Sequence, residues 1–169
     1  MNRLKEVKAR KSEKGFTIIE VVLVLAIAGL IFLMVFIALP ALQRNQRDTQ
    51  RKTDMGRLST ALVNYTNSNR GSLPSNWTTF TSSYLTTGGD DFLDPAGATS
   101  AQTGATTYVF TASTTTPLVT TYANGGQNVI FYSTGYVCGS SSDSIVAGGS
   151  RKVAFRIVLE GGGYYCVNN

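Results

Sequence analysis

The chain has no histidine and only two cysteines, Cys138 and Cys166, in 169 residues. A Ser-His or Cys-His nucleophilic pair is therefore excluded, and two cysteines alone do not close a tetrahedral zinc site. No catalytic residue, no metal ligand set and no cofactor is expected. Charge is also scarce, at 15% of residues against roughly 25% in ordinary soluble domains. Lysine and arginine are missing altogether from residues 72–150, where serine, threonine and glycine fill nearly half of the positions. These shortages point to a structural protein with part of its length out of water. The length itself fits one globular unit with a modest core.

The net charge of +5 comes mostly from one place. Arg3, Lys5, Lys8, Arg10, Lys11 and Lys14 stand against Glu6 and Glu13 before residue 15, and the chain that follows is nearly neutral. The pI near 9.4 thus reads as a targeting feature, and as a nucleic-acid signal it is weak. From Val21 to Leu39 every residue is apolar or small, and Glu20 is the only charge between Phe16 and Leu42. As a helix, Val21–Leu39 would cover about 28 Å, close to the roughly 30 Å of a bilayer's hydrocarbon core. The run is too long for an ordinary secretory signal, and Leu39-Pro40-Ala41-Leu42-Gln43 offers a poor cleavage site after it. Retention in the membrane is expected.

Beyond Pro40 the sequence turns polar with no turn cluster, and Met55, Leu58, Leu62 and Tyr65 recur at helical spacing. The helix is expected to continue to Asn67, a length of about 78 Å from Phe16, with a kink at Pro40 or loosening near Gly29. Asn67 to Gly71 and Leu73-Pro74 supply stop signals. Further on, Tyr108–Phe110, Leu118–Tyr122 and Val129–Tyr132 read as strands rich in β-branched and aromatic residues. Val153, Phe155, Ile157 and Leu159 alternate with Ala154, Arg156, Val158 and Glu160 as a half-buried strand, and Gly161-Gly162-Gly163 turns into Tyr164–Val167. The expected fold class is α+β: a long N-terminal helix, its inner half transmembrane, with the outer half packed on a roughly four-stranded antiparallel β-sheet.

Between the basic leader and the apolar run stands Lys14-Gly15-Phe16-Thr17-Ile18-Ile19-Glu20. This segment, with residues 11–42 around it, resembles the cleavage motif of type IV prepilins, the class III signal peptide of the pilin and pseudopilin superfamily. The resemblance implies that a membrane-embedded aspartyl peptidase, the prepilin peptidase, cuts between Gly15 and Phe16 on the cytoplasmic side, after which Phe16 is N-methylated. Gly29 matches a family position, whereas the family's helix proline comes earlier than Pro40 does here. The division implied is a cleaved leader at 1–15, a transmembrane and filament-core helix at 16–42, its amphipathic continuation at 43–70 and an extracellular β-domain at 71–169.

Glycine at the cut gives a protease an unhindered backbone. Glu20, one turn into an apolar helix, needs a neutralising partner. Two are open: its own helix N-terminus, or the new Phe16 amine, on the same helix or on a neighbouring subunit. The resemblance favours the neighbouring subunit and so assigns assembly to Glu20 and Phe16. Six basic residues before the span against Arg44, Arg47, Arg51 and Lys52 after it favour an N-terminus inside the cell, and the cysteines fit an oxidising exterior. A disulfide between Cys138 and Cys166 is expected, since many pilins close a C-terminal loop with such a pair.

The resemblance implies a homo-oligomeric helical filament as the principal assembly, a membrane before assembly, and a pilus assembly platform with its ATPase. Twitching motility, adhesion and DNA uptake all use this subunit plan. A pseudopilin of a type II secretion system and a minor adhesin or DNA-uptake pilin are the alternatives. Weaker features are the basic stretch Gln43–Arg57, read as a solvated helix face with nucleic acid weakly supported, and Asp90, Asp91 and Asp94, read as an Asp-Pro turn rather than a calcium loop. The Asn64 and Asn76 sequons complete the set, the second in an expected loop.

Overall fold

The computed structural model describes residues 15–87, 91–95, 107–114 and 128–169. The chain divides into two compact units, Met1–Pro40 and Ala41–Asn169. Helix α1 (Ile18–Ser68) contributes to both and contains Pro40. The expected boundaries, Phe16 and Asn67, each fall within two residues of those observed.

In the first unit the helix is apolar on every face. Its large side chains stand exposed all along, from Phe16 at 90% to Leu39 at 46%. A helix hydrophobic all round has no solvated face and belongs in lipid or in the core of an assembly. It is long and apolar enough to cross a membrane.

In the second unit the helix becomes amphipathic. Met55, Leu58, Ala61 and Leu62 are buried, and they share one core with Ile130, Val153, Phe155 and Ile157 of the sheet. The main sheet contains β1 (Val109–Ala112), β2 (Val129–Thr134), β5 (Val153–Val158) and β6 (Tyr164–Asn168) in the order β1-β2-β5-β6. A second, two-stranded sheet pairs β3 (Tyr136–Cys138) with β4 (Ile145–Ala147).

Four strands match the expectation, but the sheet is mixed. Strands β2-β5 and β5-β6 pair antiparallel, whereas β1 pairs β2 in parallel, Val109 opposite Val129. Parallel neighbours need a crossover, and residues 113–128 supply it. The expected strand Leu118–Tyr122 lies in that connection, outside the described residues.

Strand β5 is buried on both faces, not one: Ala154 and Arg156 are as fully covered as Val153, Phe155 and Ile157. The β3-β4 side of the molecule supplies the cover. Arg156 donates from Nη1 to the Asp143 carbonyl at 2.8 Å and from Nη2 to the Ser113 carbonyl at 2.9 Å.

The Asn76 sequon, expected in a loop, instead opens helix α2 (Trp77–Tyr84). Asn76 caps it, its Oδ1 accepting from the Thr78 and Thr79 amides at 2.9 and 3.2 Å. Trp77 and Phe80, three apart, are the buried face. Trp77 packs edge-on against Phe80 and Phe155 and stacks on Phe110.

The stretch Gln43–Arg57 is not simply a solvated face. Asp48, Arg51 and Asp54 are buried, because positions 48, 51, 55, 58 and 62 lie on one helical stripe. Arg51 grips Asp94 through Nε–Oδ1 at 2.6 Å and Nη2–Oδ2 at 3.1 Å. Its Nη1 reaches Asp48 at 3.1 Å and Glu160 at 2.8 Å, and Arg47 Nε meets Glu160 at 2.9 Å. Asp48 in turn accepts from the Glu160 and Gly161 amides, both at 2.8 Å. This ionic cluster fastens α1 to the β5-β6 turn.

Candidate functional site

The predicted processing and assembly residues gather where α1 begins. Gly15, Phe16 and Thr17 lie outside the helix, which starts at Ile18. Thr17 is what sets that start. Its amide and its Oγ1 both donate to Glu20 Oε2 at 2.8 Å, and the Glu20 amide points back to Thr17 Oγ1 at 3.4 Å.

The pattern Thr17-Ile18-Ile19-Glu20 is therefore a capping box, in which cap and third helical residue satisfy each other's orphan amides. Thr17 was quoted in the motif without a role. The Thr-x-x-Glu spacing before an apolar run is the signal that would have given it one.

The geometry places Glu20 against its own helix end. Both hydrogen bonds use Oε2 and leave Oε1 outside the box. A carboxylate at a helix N-terminus is also favoured by the helix dipole. Around Gly15 a side chain would meet nothing within 4 Å, and the same holds at Gly29 within the helix. Phe16, beside Gly15, is exposed. Among the described residues nothing obstructs the Gly15–Phe16 peptide; residues 1–14 lie outside them.

Elsewhere, Cys138 of β3 and Cys166 of β6 are joined by a disulfide, with Cα atoms 5.9 Å apart. It ties the small sheet to the last strand of the large one. Asp94 is not available to a cation, being held in the Arg51 fork; Asp91 is exposed, and Asp90 lies outside the described residues. Asn76 is the cap of α2 rather than a loop residue, and Asn64 sits exposed on α1.

The family described as the prokaryotic N-terminal methylation motif matches residues 10–36. Neither a curated protein nor a solved structure matches the chain. The chain thus carries the class III signal peptide of type IV pilins. That motif, set on an apolar and exposed N-terminal helix, indicates a type IV pilin-like or pseudopilin precursor, a class typically structural rather than catalytic. It implies processing by prepilin peptidase and assembly into a pilus-like filament, from a precursor anchored in the membrane.

Proposed function

We propose that the chain is a structural pilin of a type IV pilus. The precursor sits in the cytoplasmic membrane with its basic leader, residues 1–15, inside and residues 71–169 outside. Prepilin peptidase hydrolyses the Gly15–Phe16 amide, and the Phe16 amine it frees is methylated. Residues 16–42 then leave the lipid for the filament core, 43–70 continue the helix, and the β-domain forms the outer surface. Copies of the chain are the main partners, brought together by the assembly platform and its ATPase.

The observation that carries this reading is the methylation motif at residues 10–36 leading into a helix whose apolar side chains have no cover of their own. Glu20 enters assembly through Oε1. With Oε2 kept in the capping box, the second oxygen is free to meet the Phe16 amine of a neighbouring copy as the helices lose their lipid. Intact-mass and N-terminal analysis of the protein from producing cells tests the processing step. The expected mature chain begins at methylated Phe16. A chain that retains residues 1–15, or begins after Pro40, refutes it.

A further inference from the structure

Several of the second unit's cations are spent internally. Arg47 and Arg51 are held in the Glu160 and Asp94 cluster, Arg57 pairs with Asp54 at 3.3 Å, and Arg156 is buried on backbone carbonyls. Three others meet at one place. Arg70, Arg151 and Lys152 line an open cleft of about 380 Å³ at the C-terminal end of α1, together with Thr66, Asn67 and Gly71.

Two features show that this meeting is built rather than incidental. Helix α1 ends in a Schellman-type turn, with the Gly71 amide donating to the Thr66 carbonyl at 2.7 Å. Two residues of that turn have positive φ, Gly71 and Arg70, and at Arg70, φ 55°, glycine or asparagine is the unstrained choice. An arginine held in that conformation is the kind of backbone outlier that accompanies function.

The second feature is Gly71, at φ 81°. A Cβ there would stand 2.9 Å from Arg151 Nη1 and 3.0 Å from its Cζ. The missing side chain lets the Arg151 guanidinium lie directly over the helix end.

Helix dipoles attract cations to this end, and Lys152 Nζ does bond the Asn169 oxygen at 2.7 Å. Arg70 and Arg151 have no ion pair or side-chain hydrogen bond among the described residues. A carboxylate on Asn169 would remove one charge and still leave the cleft positive.

We propose that Arg70, Arg151 and Lys152 form a binding cleft for phosphate groups. Guanidinium forks match the oxygens of phosphate and carboxylate alike, but three cations around one cleft suit a multiply charged anion rather than a carboxylate. The lining holds no aromatic ring, so recognition is of the phosphate and not of an attached base. The phosphate is either a lone group or a link in a chain of them.

The test uses the full chain in uncharged detergent, titrated with orthophosphate and with inorganic tripolyphosphate at several salt concentrations. Tripolyphosphate, the more highly charged, binds more tightly wherever cations cluster, so a chain of phosphates is assigned as the ligand only where its advantage over orthophosphate is lost in the cleft variant; equal binding identifies a single group. In either case Arg70→Asn with Arg151→Gln is expected to weaken binding about tenfold or more and to flatten its salt dependence. Asparagine tolerates the left-handed conformation, so the unfolding midpoint of Arg70→Asn should be unchanged or higher.

The control is Arg44→Gln with Lys52→Gln, which removes two exposed cations elsewhere on α1. It should leave binding intact. Equal loss in the two double variants would mean diffuse attraction to a basic chain and would overturn the proposal. Absence of binding to the unaltered chain would overturn it as well.

Discussion

Replacing Arg51 with methionine tests whether the ionic cluster holds the second unit together. The Arg51 side chain has no exposed surface, and Asp94 beside it is 3% exposed. Its loss falls unequally on its three partners. Asp48 keeps the Glu160 and Gly161 amides, and Glu160 keeps Arg47. Asp94 loses the fork that holds both of its oxygens. Stranding one member of a buried pair costs about 3–5 kcal/mol, a large share of the roughly 5–15 kcal/mol that holds a domain folded.

The assay is urea unfolding of the full chain in uncharged detergent, followed by the fluorescence of Trp77, the one tryptophan. Trp77 lies in the shared core with Met55 and Phe155, so its signal follows the packing of α1 on the sheet. Arg51→Met should lower stability by about 3–5 kcal/mol. Adding Asp94→Leu, which removes the stranded charge and replaces the pair with apolar volume, should recover stability to within about 1 kcal/mol of the unaltered chain. A harmless single variant, or a double variant no better than the single, would refute the account.

Removing both cysteines as Cys138→Ala with Cys166→Ala should cost about 3.6 kcal/mol by the chain-entropy relation, given the separation of 28 residues. Non-reducing peptide mapping of the unaltered protein should recover the linked pair.

Two carboxyls should give opposite pH slopes in the same unfolding assay. The hydrogen bond from Arg47 holds Glu160 below the usual carboxylate range, so its contribution is present above the unfolded-state value and lost as pH falls through the folded one. Burial pushes Asp54 up, so the folded state gains on the unfolded one as pH falls through that raised value. Relative to the unaltered chain, Glu160→Gln should therefore look better, and Asp54→Asn worse, as the solution is acidified from neutral; parallel curves would contradict both assignments.

Glu20→Ala should still insert and be processed but should yield few or no filaments in sheared preparations. Thr17→Ala keeps the Thr17 amide bond to Glu20 and should still assemble. Glu20→Ala filaments equal to the unaltered ones in number and length would remove Glu20 from assembly.

The features legible in the sequence are those written in local spacing. The motif is contiguous, and the Met55, Leu58, Leu62 and Tyr65 stripe needs only the 3.6-residue period. Strands β2, β5 and β6 announce themselves by β-branched and aromatic residues between turn formers. Helix α2 leaves little local signal because Trp77–Tyr84 is threonine, serine and aromatic throughout, all weak helix formers. Burial of Trp77 and Phe80 stabilises it instead.

The parallel β1-β2 pair was hidden for another reason. Periodicity gives a strand's faces and says nothing of its neighbour's direction. The ionic cluster joins residues about 113 positions apart, beyond any local pattern. Even so, Asp48 and Arg51 extend the Met55–Leu62 stripe by two turns, and two opposite charges on an apolar stripe already say that both are buried and paired.

The start of the helix connects processing to assembly. A peptidase needs its peptide bond out of a helix, since a helical amide is hydrogen-bonded along the axis and cannot lie extended in a cleft. Thr17 and Glu20 set the helix start at Ile18, which leaves the proposed scissile bond two residues before the first helical turn. The carboxylate proposed to direct assembly therefore shares, with one oxygen, in a helix start that the Thr17 cap on the residue 20 amide keeps when the carboxylate is removed. Cutting between Gly15 and Phe16 leaves the Thr17 amide in place, so the box survives and the new amine arises beside it. Because Oε2 stays occupied throughout, the helix N-terminus remains satisfied in the precursor and in the processed chain. In the proposed assembly only Oε1 would take a new partner, the amine of a neighbouring copy. The same residue can thus settle its own helix and recruit the next subunit, and the two roles first treated as alternatives are compatible.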